Sequence, residues 1–131
     1  MSYYTLLQIE REPFSTSPDP SFLYRSTEHY TALNRLEIAI RLKRGLSLIL
    51  GDVGTGKTTL SRALLQAFNG EEENYHLHMI LDPSFKSEYQ FLTHMTKLFG
   101  ISPFFRSTID HREAIEKYLF HKCVEEHKTV V

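Results

Sequence analysis

The chain has 131 residues, of which 41% are hydrophobic and 24% charged. That balance is that of a single soluble domain and argues against a disordered chain. Lys and Arg number 15 against 16 Asp and Glu, a formal net charge of −1, so no global basic field holds nucleic acid by charge alone.

Cys123 is the only cysteine, which excludes an internal disulfide framework and a cysteine-based zinc site. Apolar runs reach roughly five residues, far short of the ~20 that span a bilayer. Met1 to Arg11 lacks the basic-then-apolar pattern of a signal peptide, so the default expectation is a cytoplasmic protein.

Residues 1–25 read as an irregular lap. Pro13, Pro18 and Pro20 oppose a continuous helix, while Phe14, Phe22, Leu23 and Tyr24 give the segment something to pack with. From 26 onward the chain alternates helices and strands. Ser26 or Thr27 caps a helix to about Lys43, with Tyr30, Leu33, Leu36, Glu37 and Ile40 at three-four spacing and Gly45 as its stop. Leu46 to Leu50 reads as a short buried parallel strand. A helix follows over Lys57 to Phe68, closed by Asn69-Gly70, and then a polar turn at Glu71 to Asn74.

Tyr75 to Leu81 reads as a second strand. Tyr75, Leu77 and Met79 share one face, and His76 and His78 share the other, the pattern of an edge strand with one face partly wet. Ser87 with Gln90 forms a capping-box pattern that opens a third helix, with Phe91, Leu92, Met95, Leu98 and Phe99 inward and Gly100 as its end. Phe104 and Phe105 in the next loop are expected in the core. Ser107 or Thr108 caps a fourth helix to about Glu126, with Ile109, Ile115, Leu119 and Cys123 near one face and Asp110, Glu113 and Glu116 in water. Thr129 to Val131 reads as a strand that has begun. This order predicts an α/β fold with a parallel sheet and flanking helices.

The chemistry sits at residues 51–58. Gly51-Asp52-Val53-Gly54-Thr55-Gly56-Lys57-Thr58 fits G-x-x-x-x-G-K-[ST], the phosphate-binding loop. The glycines let successive N–H groups turn inward toward phosphate oxygens. The helix that starts near Lys57 points its positive end at the same anion. Lys57 reaches the β- and γ-phosphates as a mobile charge, and Thr58 offers a hydroxyl to Mg²⁺. Thr59 is positioned to donate to the α-phosphate. A ligand-free strand-to-helix turn is the alternative, but the strand before and helix after the loop are the context the motif requires. His76 with His78, and His121 with Cys123, lack a visible third metal ligand and read as solvated side chains. Glu71, Glu72 and Glu73 read as a solvated turn.

Pro13-Phe14-Ser15, Pro18-Asp19-Pro20-Ser21-Phe22-Leu23-Tyr24, then His29 and Ala32-Leu33, then Gly51 to Thr59, resemble the ExeA or general secretion pathway protein A family of AAA+ ATPases. The pilus-biogenesis ATPase MshM shares the pattern. The resemblance implies a P-loop NTPase fold of the AAA+ type, here incomplete at its C-terminus. It divides the chain into a lap over 1–25 and a partial nucleotide-binding domain over 26–131, cut before the Walker B strand. In such a sheet the first two strands in sequence are not neighbours, and the second lies at the edge.

The resemblance further implies ATP and Mg²⁺ as ligands. Lys57 and Thr58 are then the catalytic pair, and Gly51, Asp52, Val53, Gly54, Thr55, Gly56, Lys57, Thr58 and Thr59 the binding loop. Tyr24, Leu23 or Phe22 would lie near the base. The complete protein would hydrolyse ATP as a homo-oligomer and serve secretion or pilus machinery, at the inner face of the inner membrane through further C-terminal regions. This stretch alone would bind nucleotide without efficient turnover. The alternatives are a TniB-like ATP-dependent helper of DNA transposition and a P-loop kinase acting on a small molecule.

Overall fold

The computed structural model describes residues 3–12, 16–17, 19–102 and 106–131. The expectations for Pro13, Phe14, Ser15, Pro18, Phe104 and Phe105 lie outside the described residues. The elements in chain order are α1 (Tyr3–Leu6), a 3₁₀ turn (Pro20–Phe22), α2 (Thr27–Arg41), α3 (Lys57–Ala67), β1 (Tyr75–His76), α4 (Glu88–Leu98), α5 (Thr108–Phe120), a π-helical turn (His121–Glu125) and β2 (Thr129–Val130).

The two turns of helix-like backbone in the lap correct the reading of 1–25 as wholly irregular. α1 lies before the first proline. The 3₁₀ turn places Pro20 at its first position, where no N–H is needed, and Asp19 caps it by accepting from the Ser21 N–H at 2.9 Å. α2 starts at Ser26, whose hydroxyl accepts from the His29 N–H. Its end differs from the expected stop at Gly45: Lys43 takes a left-handed φ of 60°, and the Arg44 N–H returns to the Ala39 carbonyl. Local carbonyl capping ends this helix before the glycine is reached.

Leu33, Leu60 and Ala63 form the core between α2 and α3, with Leu23, Leu36, Ile49 and Leu64 packed against it. Leu23 thus ties the lap to the helices. At the far end of the same helices Phe68 is buried. Tyr75 packs 5.1 Å from it, and the Arg41 guanidinium sits over its ring at 4.9 Å. Arg41 is ion-paired with Glu37 and Glu71, which hold its guanidinium charged. Glu71 therefore belongs to this junction, where the sequence reading had it solvated.

The expected strand at Leu46–Leu50 does not form a ladder with any described segment. Leu46, Leu48 and Leu50 are exposed while Ser47 and Ile49 are half-buried. The period-two pattern of a strand is present, but with no neighbour to pair its N–H and C=O groups the segment is not a strand, nor is it buried. The expected strand at Tyr75–Leu81 shortens to Tyr75–His76. It pairs in parallel with β2, Tyr75 opposite Thr129 and His76 opposite Val130. Two further bonds extend the ladder, Val131 N–H to the His76 carbonyl at 2.9 Å and His78 N–H to the Val131 carbonyl at 2.7 Å. Among the described residues β1 has this one neighbour.

On its histidine face both His76 and His78 are half-buried. His78 meets Phe99 edge-on at 5.0 Å, and Phe99 stacks on Tyr118 of α5 at 4.8 Å. Burial pushes His78 below the usual histidine range, and His76 adds to the shift. Burial lowers His76 as well, with Lys128 and Lys122 contributing.

α4 opens at Ser87, which accepts from the Gln90 N–H. The Gln90 side chain reaches back to the Lys86 N–H, one residue earlier than a reciprocal capping box. Leu92 is buried as expected, whereas Phe91 is exposed. α5 opens at Ser107 as predicted. Ile109 and Cys123, expected inward, are exposed, because the face turned to α4 is the one carrying His111. That imidazole is 1% exposed and lies between the hydroxyls of Thr93 and Thr96, with Tyr89 at 5.3 Å. No helix is long and apolar enough to cross a membrane among the described residues.

Candidate phosphate-binding loop

The loop from Gly51 to Gly56 hands the chain from the core-contacting Ile49 to the first turn of α3. Two left-handed glycines shape it, Gly54 at φ 79° and Gly56 at φ 84°. Side chains strain such backbone, so these positions call for glycine. Between them Thr55 closes a turn onto the Asp52 carbonyl, through its N–H at 3.3 Å and its hydroxyl at 2.7 Å. Gly51 is needed for space. A Cβ there would stand 2.9 Å from the Thr55 hydroxyl and 3.4 Å from Lys57 Cδ.

Gly56 is the N-cap of α3 and brings no side-chain cap. The first-turn amides of an eleven-residue helix therefore face the loop without a carboxylate or hydroxyl cap from that residue, and with the positive end of the helix dipole behind them. Lys57 Nζ folds over the loop and donates to the carbonyls of Gly51 and Asp52, each at 2.6 Å. A helix N-terminus without a side-chain cap and an ammonium tethered beside it together favour an anion. Thr58 and Thr59 are half-buried on the first turn of the helix, below the loop.

A cleft of about 350 Å³ opens beside the loop. Its walls include Gly54, Gly56 and Thr59 from the loop side and Asp19, Phe22 and Tyr24 from the lap. The lap thus faces the loop across the cleft. Asp19 contributes a carboxylate, held below its ordinary range by the Ser21 hydroxyl, the Ser21 N–H and the charge of Arg11. Tyr24 lines the cleft and is 85% exposed.

All nine residues read as the binding loop, Gly51 to Thr59, are contiguous on this one strand-like segment, turn and helix start. Among the described residues no three His, Cys, Asp or Glu side chains could share a metal ion. His121 pairs instead with Glu125 and Glu126.

Sequence reading missed the part played by His29. Its Nε2 lies 2.8 Å from the Thr55 carbonyl and its Nδ1 lies 2.7 Å from the Ser26 hydroxyl. The local signal was a histidine three residues after a helix-capping serine. The family resemblance names His29 alongside the loop, 26 residues further on, but assigns it no contact there.

Residues 40–130 match the family model described as AAA domain, so the chain belongs to that family. The fold of an AAA domain is that of a P-loop nucleotidase, and the loop at 51–58 falls within the matched stretch. The chain is also 43% identical over 82 residues to general secretion pathway protein A of Aeromonas hydrophila. That match covers 63% of this chain and 14% of the relative, so the chain spans a small part of the length of the protein it matches. No solved structure matches it.

Proposed function

We propose that this AAA-domain chain binds Mg²⁺–ATP at the loop Gly51–Thr59 and forms the nucleotide-binding part of an ATPase that powers a secretion assembly. The observation that carries the reading is the loop itself: two left-handed glycines, an N-cap without a side chain, and Lys57 Nζ held 2.6 Å from two loop carbonyls. The secretion role follows the similarity to general secretion pathway protein A. Residues 1–25 act as a lap over the base and residues 26–131 as the nucleotide-binding domain.

In this reading the residues do separate work. The amides of Gly54, Gly56, Lys57 and Thr58 cradle the phosphates, and the α3 dipole adds to the field. Lys57 exchanges its two carbonyl partners for phosphate oxygens, a move its flexible stem allows. Thr58 offers its hydroxyl to the metal that accompanies the nucleotide. When bound, Mg²⁺ neutralises charge on the β- and γ-phosphate oxygens. Tyr24 and Phe22 flank the base, and Thr59 reaches toward the α-phosphate.

The test is titration of the intact protein with a fluorescent ATP analogue and Mg²⁺. Lys57→Ala removes a charge-assisted contact of about 1.5–3 kcal/mol, so affinity falls by roughly ten- to a hundredfold. Equal affinity of folded wild type and variant would place the nucleotide elsewhere.

A further inference from the structure

The geometry points to His29 as the positioning residue that sets the phosphate-binding orientation of the Thr55–Gly56 peptide. This deepens the reading of the loop as a polyphosphate site and rests on it.

The imidazole can satisfy both of its contacts in one neutral tautomer. A carbonyl oxygen only accepts, so Nε2 carries the proton and donates to Thr55 O at 2.8 Å. Nδ1 then accepts, and its partner at 2.7 Å is the Ser26 hydroxyl. That hydroxyl donates to the ring while accepting the His29 backbone N–H at 3.2 Å. Ser26 is the N-cap of α2, so the ring is fixed by the helix start it belongs to. The chain of bonds runs from a rigid helix end, through the imidazole, to one carbonyl of the loop.

That carbonyl matters because a trans peptide is planar. Its C=O and the following N–H point to opposite edges of the plane. Anchoring Thr55 O on His29 directs the Gly56 N–H away from the ring. Rotating the plane by half a turn would break the His29 bond and aim the same N–H at the imidazole. Gly56 is free to make that rotation, being a left-handed glycine, and the ring lies close under it: a Cβ on Gly56 would come 3.6 Å from His29 Nε2. Glycine gives the loop its shape and also its freedom to lose that shape. His29 removes the freedom at the residue where the loop becomes α3. Preorganised donors bind a polyanion more tightly than donors that must be ordered on binding.

The experiment compares wild type, His29→Ala and His29→Gln in the intact protein, with Mg²⁺–ATP and inorganic tripolyphosphate as probes. His29→Ala should weaken both ligands by a similar factor, about tenfold, because the fault lies in the shared phosphate cradle. His29→Gln, whose amide can donate to the same carbonyl, should recover most of the loss. Ser26→Ala, which leaves the ring without its hydroxyl partner, should show a smaller loss of about threefold and serves if His29→Ala does not fold.

Loss of ATP binding with tripolyphosphate unchanged would move His29 to the base side of the cleft and overturn the proposal. So would unchanged binding of both ligands in a folded His29→Ala, or in Ser26→Ala where that is the variant measured. Wild type that binds neither probe would instead remove the phosphate-site reading itself.

Discussion

Lys57 Nζ donates to the Gly51 carbonyl at 2.6 Å, six residues back along the chain, and this bond closes the loop on itself. The same ammonium reaches the Asp52 carbonyl, so two consecutive carbonyls at the start of the loop share one cation. Closure depends on Gly51 having no side chain, because a Cβ there would meet the Thr55 hydroxyl and the Lys57 stem.

Gly51→Ala should therefore weaken Mg²⁺–ATP binding by about tenfold. The 2.9 Å approach falls on the Thr55 hydroxyl, so removing that hydroxyl should relieve part of the strain. A double-mutant cycle with Thr55→Ala, read by nucleotide titration, should show Gly51→Ala doing less harm in the Thr55→Ala background. Additive losses would show that the Thr55 contact is not what excludes a side chain at position 51.

The lap supplies a second test. Tyr24 lines the cleft beside Gly54, Gly56 and Thr59 and is otherwise exposed. Tyr24→Ala should weaken ATP binding several-fold, in line with aromatic stacking of about 1 kcal/mol, and leave tripolyphosphate binding unchanged. Parallel loss of both ligands would assign the lap a structural role only.

The α4–α5 contact turns on His111. At 1% exposure between Thr93 and Thr96, its removal leaves a cavity on the order of a side chain. Both hydroxyls keep a carbonyl acceptor, Tyr89 for Thr93 and Thr93 for Thr96. His111→Ala should destabilise by about 2–4 kcal/mol in urea unfolding, and Ile109→Ala, on the exposed side of the same helix, by less than about 0.5 kcal/mol.

His78 predicts a pH dependence. Burial lowers its folded-state pKa below the 6.5 of an ordinary histidine. The unfolded chain then binds more protons, so the stabilisation is complete above about pH 6.5 and is lost as pH falls through that value toward the folded pKa. Thermal midpoints should drop between pH 7.5 and 5.5, and His78→Phe, which keeps a ring against Phe99, should narrow that drop. An unchanged drop would assign the effect to other groups.

Much of the site was legible because it is local. Gly51 to Thr58 is a contiguous pattern whose glycines, lysine and helix start each act within a few residues of one another. The helix starts at Ser26, Ser87 and Ser107 were readable for the same reason, since a cap is a bond between neighbours in sequence. The sequence alone therefore determined where α2, α3, α4 and α5 begin and where the glycine-rich loop before α3 lies.

Contacts across the chain were decided by tertiary structure. Leu46 to Leu50 carries the alternation of a strand, but a strand exists only when a second segment accepts its hydrogen bonds, and apolar residues are buried only when something covers them. His78 reads as a polar residue on a wet edge, yet its ring packs edge-on against Phe99, which in turn stacks on Tyr118. His111, and not Ile109, points into the α4–α5 contact, since helix rotation is set by the partner's surface. His29 reaches the loop only because packing of Leu33 on Leu60 and Ala63 brings the start of α2 beside the start of α3. Composition and spacing carry no record of that distance, because packing brings together residues that lie far apart along the chain.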